Sequence, residues 1–163
     1  MAKVYYSSVL DRPADAVWAM VRDFNNYPAY IDEVSESHIE DGKAGDAVGA
    51  VRSFVYDGLR VRQCLLALSD VERSFSYSSC EPFAFMGSDG ESAAPIDYEG
   101  TLRVTPIIAT GQSFVEWWVS FEGGSADRAR WAEFFAAGLR QWMASLAAHV
   151  RNARTPAGQG DAA

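Results

Sequence analysis

The chain has 163 residues, 48% of them hydrophobic and 22% charged, which is the length and composition of one globular domain with a sizeable core. Its formal net charge of -8 argues against a nucleic-acid partner, which requires a basic surface. The sequence has no run of about 18 apolar residues and no apolar stretch near its start, so we expect neither stable membrane insertion nor a secretory signal.

The first part of the chain predicts two strands with two short helices between them. Residues 4–10 combine β-branched and aromatic side chains and predict a strand. Residues 11–24 predict a helix, because Pro13 suits a first turn and apolar side chains recur at helical spacing. A short second helix is predicted within residues 25–32, and weak alternation over residues 34–40 predicts an edge strand.

A tight β-hairpin is predicted over residues 48–69. Its turn is Asp57-Gly58, and both central residues of such a turn need a positive φ, which these residue types tolerate. A two-residue loop places Arg52 opposite Gln63, in the middle of a face that is otherwise apolar. A charged residue and an amide on a buried face indicate a functional site.

Three more strands and a long helix follow. The strands are predicted over residues 74–80, 97–106 and 113–123, which alternate between apolar and polar side chains. A helix without proline is predicted from Ser125 to about Val150. Its apolar stripe consists of Trp131, Phe135, Gly138, Leu139, Trp142, Leu146 and Val150.

This order of elements predicts a single α+β domain over residues 1–152 and a disordered tail at residues 153–163. An antiparallel sheet that meanders in this way curls, and the long amphipathic helix fits its concave face. Inward-pointing aromatic residues suit an apolar ligand cavity between sheet and helix, and a solid core is the alternative. These residues are Tyr77, Tyr98, Trp117, Trp131 and Trp142.

Several segments resemble the START/Bet v1-like (SRPBCC) superfamily. They are PADAVWAMVRDFNNYPAYI, GAVRSF, LLALSDVERSFSY, YEGTLRVTP and VEWWVSF. The resemblance covers about residues 3–150 and is nearest to the polyketide cyclase/dehydrase-like branch, beside plant abscisic-acid receptors and lachrymatory-factor synthase. It implies a helix-grip fold, in which a seven-stranded curved antiparallel sheet wraps around the C-terminal helix. It does not fix an activity, because the superfamily includes carriers, receptors, cyclases and lyases.

The resemblance maps an inward arginine of the receptor and synthase branch onto Arg52. On the next strand, Gln63 takes the place of an inward glutamate that is the expected proton-transfer group of the synthase-like members, and an amide cannot transfer that proton. The proline-containing gate loop of the receptors is also missing, because the chain turns there with Asp57-Gly58 alone. Hormone sensing is therefore not expected.

Arg52 is the main candidate site residue, because a buried guanidinium without a partner is very costly. It could anchor a carboxylate, phenolate or enolate of a ligand, or it could reach the rim or pair with a loop carboxylate. In an enzyme, Arg52, Tyr98 and Gln63 would be the catalytic residues that stabilise an enolate during ring closure or dehydration. The predicted ligand-binding residues share an inward position: Tyr30, Phe54, Leu65, Tyr77, Ser79, Trp117, Phe135, Leu139 and Trp142.

Neither a metal nor an organic cofactor is predicted. His38 lies between Glu36 and Glu40, which could hold a metal, but a solvated edge strand is the favoured interpretation. His149 is a lone histidine, which is typical of a surface or satisfied core position. Residues 81–96 could form a lid, an ordinary loop or a homodimer contact. The two cysteines are too few for a disulfide framework, which favours a cytoplasmic location.

The sequence thus predicts binding of a small hydrophobic molecule, aromatic or polyketide-like, with cyclisation or dehydration of that molecule left open. The alternative is a non-catalytic carrier or ligand-sensing module for a hydrophobic metabolite or lipid. Gln63 in place of a glutamate favours binding alone, whereas the polar cluster around Arg52 favours chemistry. A third interpretation, a protein-interaction module that uses Trp118, predicts a cavity too small for any ligand.

Overall fold

The computed structural model describes residues 1–85 and 90–153, and in these residues the fold consists of seven strands, two α-helices and two 3₁₀ turns. The strands are β1 (Ala2–Leu10), β2 (Val34–Ile39), β3 (Val51–Tyr56), β4 (Leu59–Ser69), β5 (Ser74–Ser79), β6 (Tyr98–Ile107) and β7 (Gln112–Phe121). The helices are α1 (Ala14–Val21) and α2 (Ser125–Asn152), and the 3₁₀ turns are Tyr27–Ala29 and Glu40–Gly42. Apart from Ala153, the predicted tail lies outside the described residues.

All seven strands belong to one antiparallel sheet with the order β1-β7-β6-β5-β4-β3-β2. The apolar stripe predicted for α2 is buried in full, as expected of a helix held in the concave face of a curved sheet. The α+β helix-grip fold predicted from the sequence is therefore confirmed. No helix within the described residues combines the length and the apolar character needed to cross a membrane.

The hairpin turn is the one predicted. Asp57 and Gly58 have φ values of 46° and 80°, the positive values that a two-residue turn requires. The turn fixes the register of β3 and β4, which pairs Arg52 with Gln63 and Phe54 with Val61. Because the side chains of a strand alternate between its faces, this register brings Arg52 and Gln63 together inside the sheet.

The boundaries of some predicted elements are wrong by a few residues. The hairpin was predicted to begin at residue 48, but β3 begins at Val51, because Gly49 has a φ of 84° and ends the extended backbone there. The first helix is limited to Ala14–Val21, with Pro13 as its N-cap. Such ends depend on capping and tertiary contacts, which the period of the apolar residues does not report.

Candidate functional site

A narrow hollow lies between the concave face of the sheet and α2. Its volume is about 30 Å³, room for one or two water molecules rather than an aromatic ring. It is lined by Tyr27, Phe54, Tyr56, Val61, Gln63, Tyr77, Phe83, Tyr98, Val119, Phe134, Phe135 and Trp142. Aromatic side chains, among them Tyr77, Tyr98 and Trp142, therefore fill most of this space. A hollow of this size is what the solid-core alternative and the protein-interaction interpretation predict, and a ligand of aromatic size requires part of the wall to move.

The structure places half of the twelve predicted site residues in the wall of this hollow. Those in the wall are Phe54, Gln63, Tyr77, Tyr98, Phe135 and Trp142. The others pack behind the wall or beside it: Tyr30, Arg52, Leu65, Ser79, Trp117 and Leu139. Ser79 lies beside it, where its hydroxyl accepts a hydrogen bond from the backbone nitrogen of Tyr98 at 3.1 Å.

The sequence analysis missed six residues of the wall, one of which is Tyr27 in the 3₁₀ turn after α1. Tyr56 and Val61 occupy inward positions of the hairpin, so the alternation that identified Phe54 could also have identified them. Val119 likewise belongs to the inward face of β7. Phe83 comes from an irregular segment and Phe134 lies beside the helical stripe, and no periodic signal indicated either of them.

Arg52 is fully buried, with 0% of its surface exposed. Its Nε and Nη2 donate to Oε1 of Gln63 at 3.0 and 2.6 Å, and its Nη1 donates to the carbonyl oxygen of Phe24 at 3.0 Å. The guanidinium carbon lies 3.8 Å from the ring centre of Phe24 and 3.7 Å from that of Tyr27. Two aromatic rings and two carbonyl oxygens therefore stabilise this charge.

No carboxylate forms an ion pair with Arg52 among residues 1–85 and 90–153. Neither the rim position nor the loop carboxylate considered for Arg52 is found, because the side chain is enclosed. Arg52 does not line the hollow itself, whereas Gln63 does. The charge of Arg52 therefore reaches the hollow through Gln63.

Tyrosine hydroxyls supply most of the polar groups near the hollow. Nε2 of Gln63 donates to the hydroxyl of Tyr98 at 2.7 Å, and Nε1 of Trp117 donates to that of Tyr77 at 3.0 Å. Nε1 of Trp142 donates to the hydroxyl of Tyr56 at 3.0 Å. Burial raises the pKa of all three phenols, so they stay neutral at physiological pH.

Residues 1–151 match the protein family described as polyketide cyclase / dehydrase and lipid transport. The match covers the whole sheet and nearly all of α2. The chain belongs to this family. Membership supports ligand binding in general, in agreement with the enclosed apolar site, and confirms the superfamily resemblance found in the sequence. No curated protein matches the chain.

Several solved structures have a fold similar to that of this chain. A protein from Nitrosospira multiformis is 30% identical, with a TM-score of 0.75, over 91% of this chain and 96% of that one. The di-domain ARO/CYC BexL from the BE-7585A biosynthetic pathway is 14% identical, with a TM-score of 0.76, over 93% of this chain and 47% of that one. Ginseng major latex-like protein 151 from Panax ginseng is 15% identical, with a TM-score of 0.65, over 91% of this chain and 96% of that one. The last two show the fold alone.

The ring of Tyr77, on β5, packs closely against the neighbouring strand β6, and this packing shapes the site. Gly100 lies beneath the Tyr77 ring, and a Cβ atom there would lie 2.2 Å from Cζ of that ring. Tyr77 is buried on every side and cannot move aside freely. We predict that Gly100→Ala lowers the free energy of unfolding by about 1–3 kcal/mol through overpacking, measured by urea unfolding.

The matched control for this prediction is Gly100→Ala combined with Tyr77→Leu. The smaller side chain removes the clash, so the second substitution should cost less in the Gly100→Ala background than in the wild type. Equal costs in the two backgrounds would show that Gly100 and Tyr77 are not coupled.

The described parts of residues 81–96 pack against α2. Phe83 pairs with Ile96 through two backbone hydrogen bonds of 2.8 and 3.0 Å. The ring of Phe85 stacks on Phe134 with their centres 4.3 Å apart, and Nε1 of Trp131 donates to the carbonyl oxygen of Ala94 at 2.9 Å. Residues 86–89 lie outside the described residues, and a lid or homodimer contact over 81–96 stays a prediction.

The two histidines lie away from the hollow. Nε2 of His149 is 2.7 Å from Oδ1 of Asp32, and this contact lowers the pKa of the Asp32 carboxyl. Beside His38, Glu36 pairs with Arg60 and Glu40 pairs with Arg62 on β4. Within the described residues, no group of three His, Cys, Asp or Glu side chains is arranged to hold a metal.

Proposed function

We propose that this chain binds a small hydrophobic molecule, aromatic or polyketide-like, in the hollow between the sheet and α2. The observation that carries the proposal is a buried cation, beside an apolar, aromatic wall, that pairs with no carboxylate of residues 1–85 and 90–153. Solid cores bury charges rarely and pair them when they do. The polar groups around Arg52, Gln63 and Tyr98 fit the few directed contacts that orient a ligand in an apolar pocket.

Binding requires the narrow hollow to widen, and one side of the wall is less buried than the other. Phe83 and Phe134 are only half-buried, and Phe83 belongs to an irregular segment rather than to the sheet. The opposite side consists of residues of the sheet, among them Tyr77 and Tyr98, which are buried. A ligand would therefore enter by displacing the two phenylalanines and would rest against the fixed polar groups.

Catalysis on the bound molecule is the second part of the proposal. The hydroxyl of Tyr98, backed by Gln63 and Arg52, could stabilise the oxyanion of an enolate during ring closure or loss of water. A general base is not evident, because the described wall contains no carboxylate, histidine or thiol. This observation favours the alternative, a non-catalytic carrier or ligand-sensing module for a hydrophobic metabolite or lipid.

Two further features belong to the proposal. An acidic group on the ligand would suit the positive potential of Arg52, although the group would contact Gln63 or Tyr98 rather than the guanidinium. A cytoplasmic location is supported by the free thiols of Cys64 and Cys80.

Native mass spectrometry of the purified protein tests the proposal, with Val61→Phe as the blocking variant. Val61 lines the hollow, and a phenyl ring at this position would fill its remaining volume. Val55 lies on the neighbouring strand on the opposite face, so Val55→Phe is the matched control. We expect a co-purifying small molecule in the wild type and the control, with occupancy at least about tenfold lower in Val61→Phe.

The fate of that molecule separates the two functions. Recovery of the compound unchanged after long incubation would indicate a carrier, and conversion to a product would indicate an enzyme. Equal occupancy in Val61→Phe and the wild type would contradict the placement of the ligand in the hollow.

A further inference from the structure

The orientation of the Gln63 amide follows from the chemistry of its neighbour. Arg52 has only hydrogen-bond donors, and two of its nitrogens point at one atom of the Gln63 side chain. That atom must be the oxygen, so the other must be the NH₂ group, which lies 2.7 Å from the hydroxyl of Tyr98. Tyr98 therefore accepts a hydrogen bond from Gln63.

The consequence is a free proton on Tyr98. A phenol has one proton, and its oxygen is already used as an acceptor from Gln63. Among residues 1–85 and 90–153, no acceptor for that proton is found within hydrogen-bond distance. Because Tyr98 lines the hollow and is buried, a bound molecule is the partner that this proton lacks.

We propose that Gln63 is a positioning residue, which transmits the charge of Arg52 to Tyr98 and fixes the Tyr98 hydroxyl as a hydrogen-bond donor to an acceptor oxygen of the ligand, such as a ketone or phenolate oxygen. This inference rests on the proposed function, because it requires a ligand in the hollow. A hydrogen bond in a chain that ends at a cation is stronger than an isolated one, since each bond polarises the next.

Tyr98 differs from the other two phenols around the hollow in the group that donates a hydrogen bond to it. Tyr77 and Tyr56 also accept hydrogen bonds, but from the indoles of Trp117 and Trp142, which carry no charge. The described wall thus offers several donors and few acceptors, and Tyr98 alone among these three phenols is linked to a cation. The preference for an acceptor oxygen should therefore depend on Tyr98 and Gln63 more than on Tyr56.

Two probes of nearly the same shape test the inference. Acetophenone carries a ketone, and α-methylstyrene replaces that oxygen with a CH₂ group. We expect the wild type to bind acetophenone about tenfold more tightly, the value of one hydrogen bond, in titrations followed by tryptophan fluorescence. The infrared band of the ¹³C-labelled carbonyl should also shift to lower frequency on binding.

Three variants locate the donor. Tyr98→Phe removes it and frees the Gln63 amide, which lines the hollow, so it should reduce the ketone preference and the infrared shift. Gln63→Glu turns the Tyr98 hydroxyl toward a new carboxylate, so it should abolish both. The ratio of the two affinities is compared within each variant, so that a change in packing at these wall residues affects both probes alike. Tyr56→Phe is the control and should keep both the preference and the shift. If a loss of packing alone caused the effects in the other two variants, Tyr56→Phe would show them as well.

The outcomes separate this inference from the proposed function. If wild type and variants bind both probes with equal affinity, the hollow binds ligands and the role of Gln63 is refuted. Persistence of the preference in Gln63→Glu with its reduction in Tyr98→Phe would refute the positioning role alone. If neither probe binds to the wild type, the proposed function fails for aromatic ligands and the inference fails with it.

Discussion

Gln63→Leu is expected to lower the free energy of unfolding by about 3–5 kcal/mol, which is a large part of the stability of a domain of this size. The substitution removes the oxygen that accepts two hydrogen bonds from Arg52. Hydrogen bonds to charged groups contribute about 1.5–3 kcal/mol each, and a guanidinium at 0% exposure cannot recover them from water. The remaining carbonyl of Phe24 and the flanking aromatic rings do not replace them.

The double variant Arg52→Met and Gln63→Leu is the decisive comparison. It removes the charge together with its acceptor, and an apolar pair of similar volume can be as stable as the polar pair that it replaces. We expect the double variant to recover most of the loss, to within about 1–2 kcal/mol of the wild type. Gln63→Glu keeps the acceptor and should stay within about 1 kcal/mol at neutral pH.

Urea unfolding of the four proteins, monitored by circular dichroism, gives these values. A Gln63→Leu variant as stable as the wild type would show that Arg52 reaches another acceptor. A double variant less stable than Gln63→Leu would show that the aromatic enclosure by Phe24 and Tyr27 holds the guanidinium favourably without Gln63.

The architecture and the strand register could be predicted from the sequence because they depend on local signals. The Asp57-Gly58 turn allows few alternatives, and once it is placed the alternation of side chains pairs Arg52 with Gln63. The stripe of α2 likewise follows from a period of 3.6 residues. Fold class and the identity of the central polar pair therefore did not need tertiary information.

The closed state of the hollow could not be predicted in this way. It depends on how far Phe83 and Phe134 extend from an irregular segment and from the side of a helix, and neither position has a periodic signal. The enclosure of Arg52 also depends on Phe24 and Tyr27, which reach β3 from the segment after α1. Contacts between distant segments are set by packing, which periodicity does not encode.

A steep loss of stability above pH 10 is the second large effect that we expect. Burial raises the pKa of five of the seven tyrosines, namely Tyr27, Tyr30, Tyr56, Tyr77 and Tyr98. A raised pKa means that the folded state keeps the proton while the unfolded state loses it near pH 10. The stability contributed by the neutral phenols is therefore complete below pH 10 and is lost as the pH rises toward the folded pKa, which is about 12 for Tyr30.

The size of the effect follows from proton linkage. Each tyrosine that stays protonated only in the folded state lowers the free energy of unfolding by about 1.4 kcal/mol per pH unit above pH 10. Burial raises the pKa furthest at Tyr27, Tyr30 and Tyr98, so we expect a slope that approaches about 4 kcal/mol per pH unit from these three residues together. Urea unfolding at intervals between about pH 8 and pH 11, with tyrosinate absorbance recorded in parallel, measures the slope and shows whether ionisation accompanies unfolding.

Tyr30→Phe provides the control, because the buried hydroxyl of Tyr30 makes no hydrogen bond of ordinary geometry, although the nearby Arg52 guanidinium lowers its pKa against the effect of burial. Its removal should change stability at neutral pH by less than about 1 kcal/mol, since only a weak contact with Arg52 is lost. The same substitution should reduce the alkaline slope by about 1.4 kcal/mol per pH unit. Tyr5 and Tyr6 lie outside this buried set. Stability that stays level to about pH 11, or tyrosinate absorbance of more than two tyrosines in the folded protein, would contradict the prediction. Either result would mean that water reaches the buried phenols and that the interior around Arg52 opens readily.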